Sequence, residues 1–426
     1  MSRIVLNPFG SFGDLHPYLA IAIELKRRGH QAVVATSEIY RAKVEAEGVE
    51  FAAVRPDLGE LMGQEGFLKL LWDAKNGTKH LMRDYLLPKI AESYADLLPV
   101  CEGADLLLTH FAAYAGPVVA EVRKMRWMSM VLQPTVFFSK YDPPVLAPAM
   151  WARHLYGLGT WVMPAMMKVA ELEMASWVQP LLELRERVGL ARGMNPLTHG
   201  QFSPYGTLAL FSHHFAEPQR DWPAHTETTG FVHYDKPGEG FGLSANTGEL
   251  QRFLDAGPAP VVFTLGSSAV MMAERFFEES IAATKKLGVR AVMLAWKPDR
   301  LGAVDDSILI TDYAPYSELL PRAAVTVHAG GIGTIGQALR AGKPMLVVPW
   351  AHDQPDNAER CRKLGVGRTV SREAYRAERV ARELDRLLND QSYADKAHAI
   401  AQKIASEDGL KTACDAIVSC ALSGEP

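Results

Sequence analysis

Between residues 311 and 358 the chain gathers side chains with four different chemical uses. Tyr313 is an aromatic that can stack on a base, with Ala314 beside it. His328 is a polar donor at the end of an apolar run, and Gly330, Gly331, Gly333 and Thr334 make a turn with little side chain in the way. Asp353 and Gln354 form a polar pair suited to holding hydroxyl groups. A base platform, donors for an anion and a hydroxyl-binding pair are together what a nucleotide diphosphate-sugar needs.

The elements that must position these groups can be read in the same stretch. Ala324 to Val327 is a short β-branched run, as expected of a buried parallel strand. His328 then falls at the strand's carboxyl end, where open α/β sheets bind ligands. The glycines allow a tight turn and close backbone approach. A helix over 332–341 follows, and its first N–H groups and dipole attract an anion such as pyrophosphate. The dipole contributes roughly 0.3–2 kcal/mol, and each hydrogen bond to a charged oxygen about 1.5–3 kcal/mol. Gly342 ends that helix, 344–350 forms the next strand, and Asp353 and Gln354 land beside the same site. Taken singly, a strand-end His is more often structural, and Asp353 could simply cap a helix over 354–364.

With these residues in this order, the sequence resembles the UDP-glycosyltransferase family of GT-B glycosyltransferases, in particular its bacterial branch of antibiotic, macrolide and rhamnolipid-type transferases. The resemblance spans nearly the whole chain. It implies an α/β fold of two doubly wound Rossmann-like domains facing a central cleft. It also implies that Tyr313 stacks on the base, that His328, Gly330, Gly331, Gly333 and Thr334 hold the phosphates, and that Asp353 and Gln354 bind the sugar. Gln337 stands where plant members carry a ribose-binding Glu, and Tyr316 replaces a Gln that contacts the base. These departures leave UDP and dTDP both open. Ser267 and Ser268, ending another predicted strand, are implied at the donor phosphates, and Gly13 is placed with the donor too.

A sugar acceptor must lose a proton, and a placed carboxylate or His accelerates that step roughly 10²–10⁴-fold. The first strand-to-helix turn, from Gly10 to Pro17, offers Asp14 and His16. The resemblance puts the base at Asp14; either residue could instead cap the helix ahead of Pro17. His110, after the run Leu106 to Thr109, could tune or share the proton or be a core imidazole. Phe12 is placed with the acceptor. Residues 145–190 crowd Trp and Met, among them Trp151, Trp161 and Met166. They suit either ordinary helix core or an apolar acceptor pocket.

A chain of 426 residues predicts two domains, here 1–235 and 249–426 with a Pro- and Gly-bearing linker over 236–248. The order of strands and helices in 1–54 implies a parallel, right-handed sheet, with its first helix over about 17–28. The resembled fold returns its last helix to the N-terminal domain, a crossing that periodicity does not report. A net charge of −4 without a basic aromatic cluster argues against nucleic acid. Four cysteines lack metal-ligand spacing, and with no signal peptide the expected compartment is the cytoplasm. No apolar run is long enough to span a membrane, although peripheral contact is compatible with the sequence. A monomer or homodimer is expected.

The function these readings imply is hexose transfer from a nucleotide diphosphate-sugar, UDP-glucose or dTDP-rhamnose, to a hydroxyl of a hydrophobic small molecule. No cofactor or metal is expected, since the chain has no Asp-x-Asp element. By the resemblance, the transfer inverts the anomeric carbon. Three rivals stand beside it. An NAD(P) oxidoreductase would need the G-x-G-x-x-G fingerprint, which the first turn lacks. A nucleotide-sugar epimerase of the same architecture would need paired acid and base groups on the sugar. A non-catalytic sugar-nucleotide binder would have no use for Asp14.

Overall fold

The computed structural model describes residues 1–62, 65–234, 247–266, 273, 275–296 and 301–423. The chain divides into two compact units, Met1–Tyr234 with Asp408–Pro426, and Asp235–Glu407. The expected linker lies outside the described residues, apart from 247 and 248, which open a helix Thr247–Asp255. Ser267 and Ser268 also lie outside them.

The first unit holds seven parallel strands in the order β3-β2-β1-β4-β5-β6-β7. They are β1 Arg3–Asn7, β2 Gln31–Thr36, β3 Glu50–Ala53, β4 Leu106–His110, β5 Arg126–Val131, β6 Thr207–Ala209 and β7 Thr226–Thr228. Val5 pairs with Val33 on one side and Leu107 on the other, and Ile4, Val5, Leu6 and Leu106 to Leu108 are fully buried. Such unbroken apolar strands suit a sheet covered on both faces. The order reverses between β1 and β4, where Asn7 lies beside Thr109. A reversal of this kind opens a crevice at the strands' carboxyl ends, and here it brings the turn after Asn7 next to His110.

The second unit repeats the arrangement with six parallel strands in the order β10-β9-β8-β11-β12-β13. These are β8 Val261–Thr264, β9 Ala291–Leu294, β10 Ile308–Thr311, β11 Val325–His328, β12 Met345–Val347 and β13 Gly367–Thr369. Its reversal falls between β8 and β11, and register sets His328 beside Thr264.

Six helices matter below: α1 Phe12–Arg27, α2 Ala115–Arg123, α3 Val162–Met174, α4 Ile332–Arg340, α5 Gln354–Leu364 and α6 Gly409–Leu422. α1 starts five residues ahead of Pro17, so the expected start is corrected. A capping box between Ser11 and Asp14 outcompetes the proline as a start signal, and Pro17 lies inside the helix. α6 packs on α1 within the first unit. The Arg28–Asp415 ion pair there is 2.6 Å long but half exposed on the acid side, where solvent screens it. Ala413, Cys414 and Ile417, fully buried, do more, at about 1.5–3 kcal/mol for a side chain such as Ile417. Among the described residues no helix is long and apolar enough to cross a membrane.

Candidate active site

In the first unit the site is a carboxylate held by its own turn. Ser11 caps α1, accepting from the Gly13 N–H at 3.2 Å. Asp14 Oδ2 accepts from the Ser11 N–H at 2.7 Å and the Ser11 hydroxyl at 3.2 Å. Gly10, at φ +133°, makes room for that oxygen, since a Cβ there would stand 2.1 Å from it. The other oxygen, Oδ1, lies 3.4 Å from His110 Nε2. His110 Nδ1 accepts from the Ala112 N–H at 3.3 Å, which leaves the ring proton of a neutral imidazole on Nε2, toward Asp14. That nitrogen is buried and makes no aligned hydrogen bond. Asp14 thus offers a fixed carboxylate, 26% exposed, with one oxygen spent on the cap and the other beside a buried donor. Chemically it can take a proton.

His16 lies elsewhere. Two residues along a helix turn a side chain to the other side, and its ring packs on Phe12 at 5.3 Å and Tyr234 at 5.0 Å. Burial, and then the Lys43 ammonium, push its imidazolium down to about 3. It is therefore neutral at ordinary pH. Tyr18 was not foreseen, although it follows Asp14 at helical spacing. It is fully buried 6.2 Å from the His110 ring, and its hydroxyl is without a partner. Burial and the Asp14 charge raise its phenol well above the usual range.

The residues expected at the acceptor differ in exposure. Phe12 and Met166 are half-buried, whereas Trp151 and Trp161 stand 61% and 63% exposed. A cavity of about 1370 Å³ does lie in this unit. Tyr114, Phe137, Met167, Leu181 and Phe202 line it, but none of those four does.

The second unit assembles most of the expected donor residues. His328 closes β11 with 1% exposure, and its Nδ1 accepts from the Gly330 N–H at 3.1 Å. The proton therefore sits on Nε2, which is buried and unpartnered. Burial lowers the imidazolium to about 4, so the ring is a neutral donor rather than a charge. Gly331 caps α4 with no side-chain bond, and the space over Gly331 and Gly333 is open. Asp353 sits at the cap position of α5, yet its carboxylate makes no cap bond; Oδ2 accepts from Asn357 Nδ2 at 2.6 Å. Gln354 Oε1 accepts from the Trp350 and Ala351 N–H groups at 2.8 and 3.3 Å, which leaves its NH₂ as the donor end.

Asn357 was also not foreseen, although it follows Asp353 by one helical turn. Its amide donates to the Gly330 carbonyl at 3.0 Å as well, tying the glycine turn to Asp353. Gln337 is buried on α4. Tyr313 is half-buried after β10, with Ala314 buried next to it. The Tyr316 hydroxyl meets Thr264 Oγ1 at 2.9 Å. Burial raises its phenol, while hydrogen bonds to Thr264 and Thr334 pull it back.

The O-mycaminosyltylonolide 6-deoxyallosyltransferase of Streptomyces fradiae is 30% identical to this chain, over 97% of this chain and 96% of its own length. The chain belongs to the UDP-glycosyltransferase family. It is a nucleotide-sugar glycosyltransferase of the GT-B type, and the oxidoreductase, epimerase and non-catalytic readings are set aside. Residues 4–100 match the glycosyltransferase family 28 N-terminal domain, and 288–416 the C-terminal domain of erythromycin biosynthesis protein CIII-like proteins. The sterol 3-beta-glucosyltransferase of Glomerella lagenarium is 25% identical over 97% of this chain, which spans only 28% of that protein. The glycotransferase of kitacinnamycin shares the fold, with a TM-score of 0.70 at 19% identity over 98% of this chain and 99% of its own. So does VinC, solved in complex with DTDP, with a TM-score of 0.68 at 21% identity over 99% and 100%.

Two outcomes follow for this glycosyltransferase from the His328 turn. Gly330 has φ +92°, and a Cβ there would stand 2.7 Å from Val347 Cγ1. Gly330→Ala should destabilise the fold by about 1–3 kcal/mol, read from urea unfolding. His328 gives the second. Its imidazole titrates near 6.5 when unfolded and near 4 when folded. The unfolded chain thus binds more protons between those values, so stability is full above 6.5 and drains as pH falls toward 4. By pH 5 the loss is about 2 kcal/mol relative to neutral pH. His328→Gln should flatten that part of the stability curve; an unchanged slope would contradict a buried neutral imidazole.

Proposed function

We propose that this glycosyltransferase is an inverting, metal-independent hexosyltransferase, acting from UDP-glucose first and dTDP-rhamnose second on a hydroxyl of a hydrophobic small molecule. The observation that carries the reading is the Asp14 carboxylate, anchored through Oδ2 by Ser11 with Oδ1 beside the His110 Nε2–H. Asp14 takes the acceptor's proton as the acceptor oxygen bonds to the anomeric carbon. The bond from that carbon to the diphosphate oxygen breaks in the same displacement, which inverts the centre. Charge gathers on the departing diphosphate, and the His328 Nε2–H and the first N–H groups of α4 are the donors suited to it. Asp353 and the Gln354 amide are suited to the sugar hydroxyls, and Tyr313 to the base.

The sterol 3-beta-glucosyltransferases among the relatives favour glucose and a hydrophobic acceptor, as does the apolar side of the cavity by Phe137 and Met167. The deoxyallosyltransferase relative and the DTDP complex of VinC favour the second reading. The test is nucleotide release from UDP-glucose and from dTDP-rhamnose, with and without a phenolic or hydroxy-fatty acceptor. Acceptor-dependent release, unaffected by EDTA and giving a product of inverted anomeric coupling, is expected. Release without acceptor, loss of activity in EDTA, or a retained configuration would each overturn the corresponding part.

A further inference from the structure

More than half of the large apolar side chains exposed among the described residues fall in residues 150–172. Trp151, Leu158 and Trp161 stand 61–63% exposed, Val169 69% and Leu172 75%, with Leu155 beside them in sequence. The backbone explains why. Two short 3₁₀ turns, Ala147–His154 and Tyr156–Leu158, lead through Gly159 at φ +131° into α3. α3 buries only Val162 and Met163, at its start, and leaves Val169 and Leu172 outward on one face. The Trp161 indole N–H is already donated to the Leu158 carbonyl at 3.2 Å, so its ring is an apolar plate without a polar need of its own.

Charge distinguishes the occupants such a face could take. The one acid of the segment is engaged, Glu171 accepting from the Thr198 hydroxyl at 2.7 Å, and Glu173 just beyond it pairs with Lys79 at 2.6 Å. Arg153 and Lys168 are exposed with no carboxylate partner among the described residues. A two-fold contact between copies would set a face with unmatched cations against itself. A surface of lipid phosphates complements it, and Trp with Leu beside Arg and Lys is the composition of a membrane–water interface.

We infer that residues 150–172 dock the protein reversibly on an anionic phospholipid bilayer, with the Trp151 and Trp161 rings at headgroup level and Arg153 and Lys168 toward the phosphates. This goes beyond the transfer reaction, and its test uses no sugar nucleotide, so either can fail without the other.

The 426-residue protein is sedimented with phosphatidylcholine vesicles that contain or lack phosphatidylglycerol. Binding should be about tenfold stronger on the anionic vesicles and should fall with added salt. Trp151→Glu/Trp161→Glu should lower binding about tenfold or more, and Arg153→Glu/Lys168→Glu should abolish the preference for anionic lipid. All four positions are exposed, so melting temperatures should stay at the wild-type value. Brominated lipid should quench the wild-type tryptophan emission and spare that of Trp151→Phe/Trp161→Phe. Wild-type protein left in the supernatant, Trp variants that bind as wild type, or a wild-type dimer that the Trp→Glu pair dissociates would overturn the inference.

Discussion

Asp14→Asn should lower turnover by about 10²-fold or more while UDP affinity stays near wild type. The substitution keeps size and shape. An asparagine carbonyl oxygen can still accept from the Ser11 N–H, now made by Asp14 Oδ2 at 2.7 Å, so α1 should still start at Phe12. What changes is the second oxygen, replaced by an NH₂ that faces the His110 Nε2–H donor across about the same gap, now 3.4 Å. Two donors then oppose each other, and no group there can take a proton. The residues proposed for the donor, Gly13 apart, belong to the other compact unit, so nucleotide binding measured by calorimetry serves as the internal control. Unaltered turnover would move the base to His110 or His16. His16 would then have to work as a neutral imidazole already pushed down to about 3, a poor proton acceptor at neutral pH.

How much of this could be read from residues alone depends on the range of the interaction. His328 at a strand end and the glycine turn after it were legible, because a β-branched run followed by glycines is local information. The start of α1 was misread because two local signals compete, Pro17 and the Ser11–Asp14 box, and the box won. The place of α6 was beyond reach: Ala413, Cys414 and Ile417 would suit any apolar surface, and their contact with α1 joins opposite ends of the chain. The use of Tyr316 was hidden for a related reason. Its hydroxyl meets Thr264 at the end of β8, 52 residues earlier in the chain. Trp151 and Trp161 show a third limit, since composition reports that a segment is apolar but not which way its rings face.

His328→Ala should weaken nucleotide diphosphate binding itself by roughly ten- to a hundredfold, the equivalent of about 1.5–3 kcal/mol for a hydrogen bond to a charged oxygen. The ring is held for one task. Nδ1 is committed to the Gly330 N–H at 3.1 Å, and Nε2, with nothing to bond, is left as a buried donor. Such an orphan costs stability in the empty protein, a cost relieved when an anion accepts from it. Removing the imidazole should therefore remove affinity without a matching loss of fold. Gly330 still has Asn357 on its carbonyl at 3.0 Å, so the turn keeps a second anchor. His328→Gln separates the two halves of the argument, because an amide can donate to the phosphate or accept from Gly330 but cannot reproduce the geometry of both. It should recover part of the affinity that alanine loses. Equal affinity in wild type and His328→Ala would refute the phosphate role, and the buried donor at the end of β11 would then need another explanation.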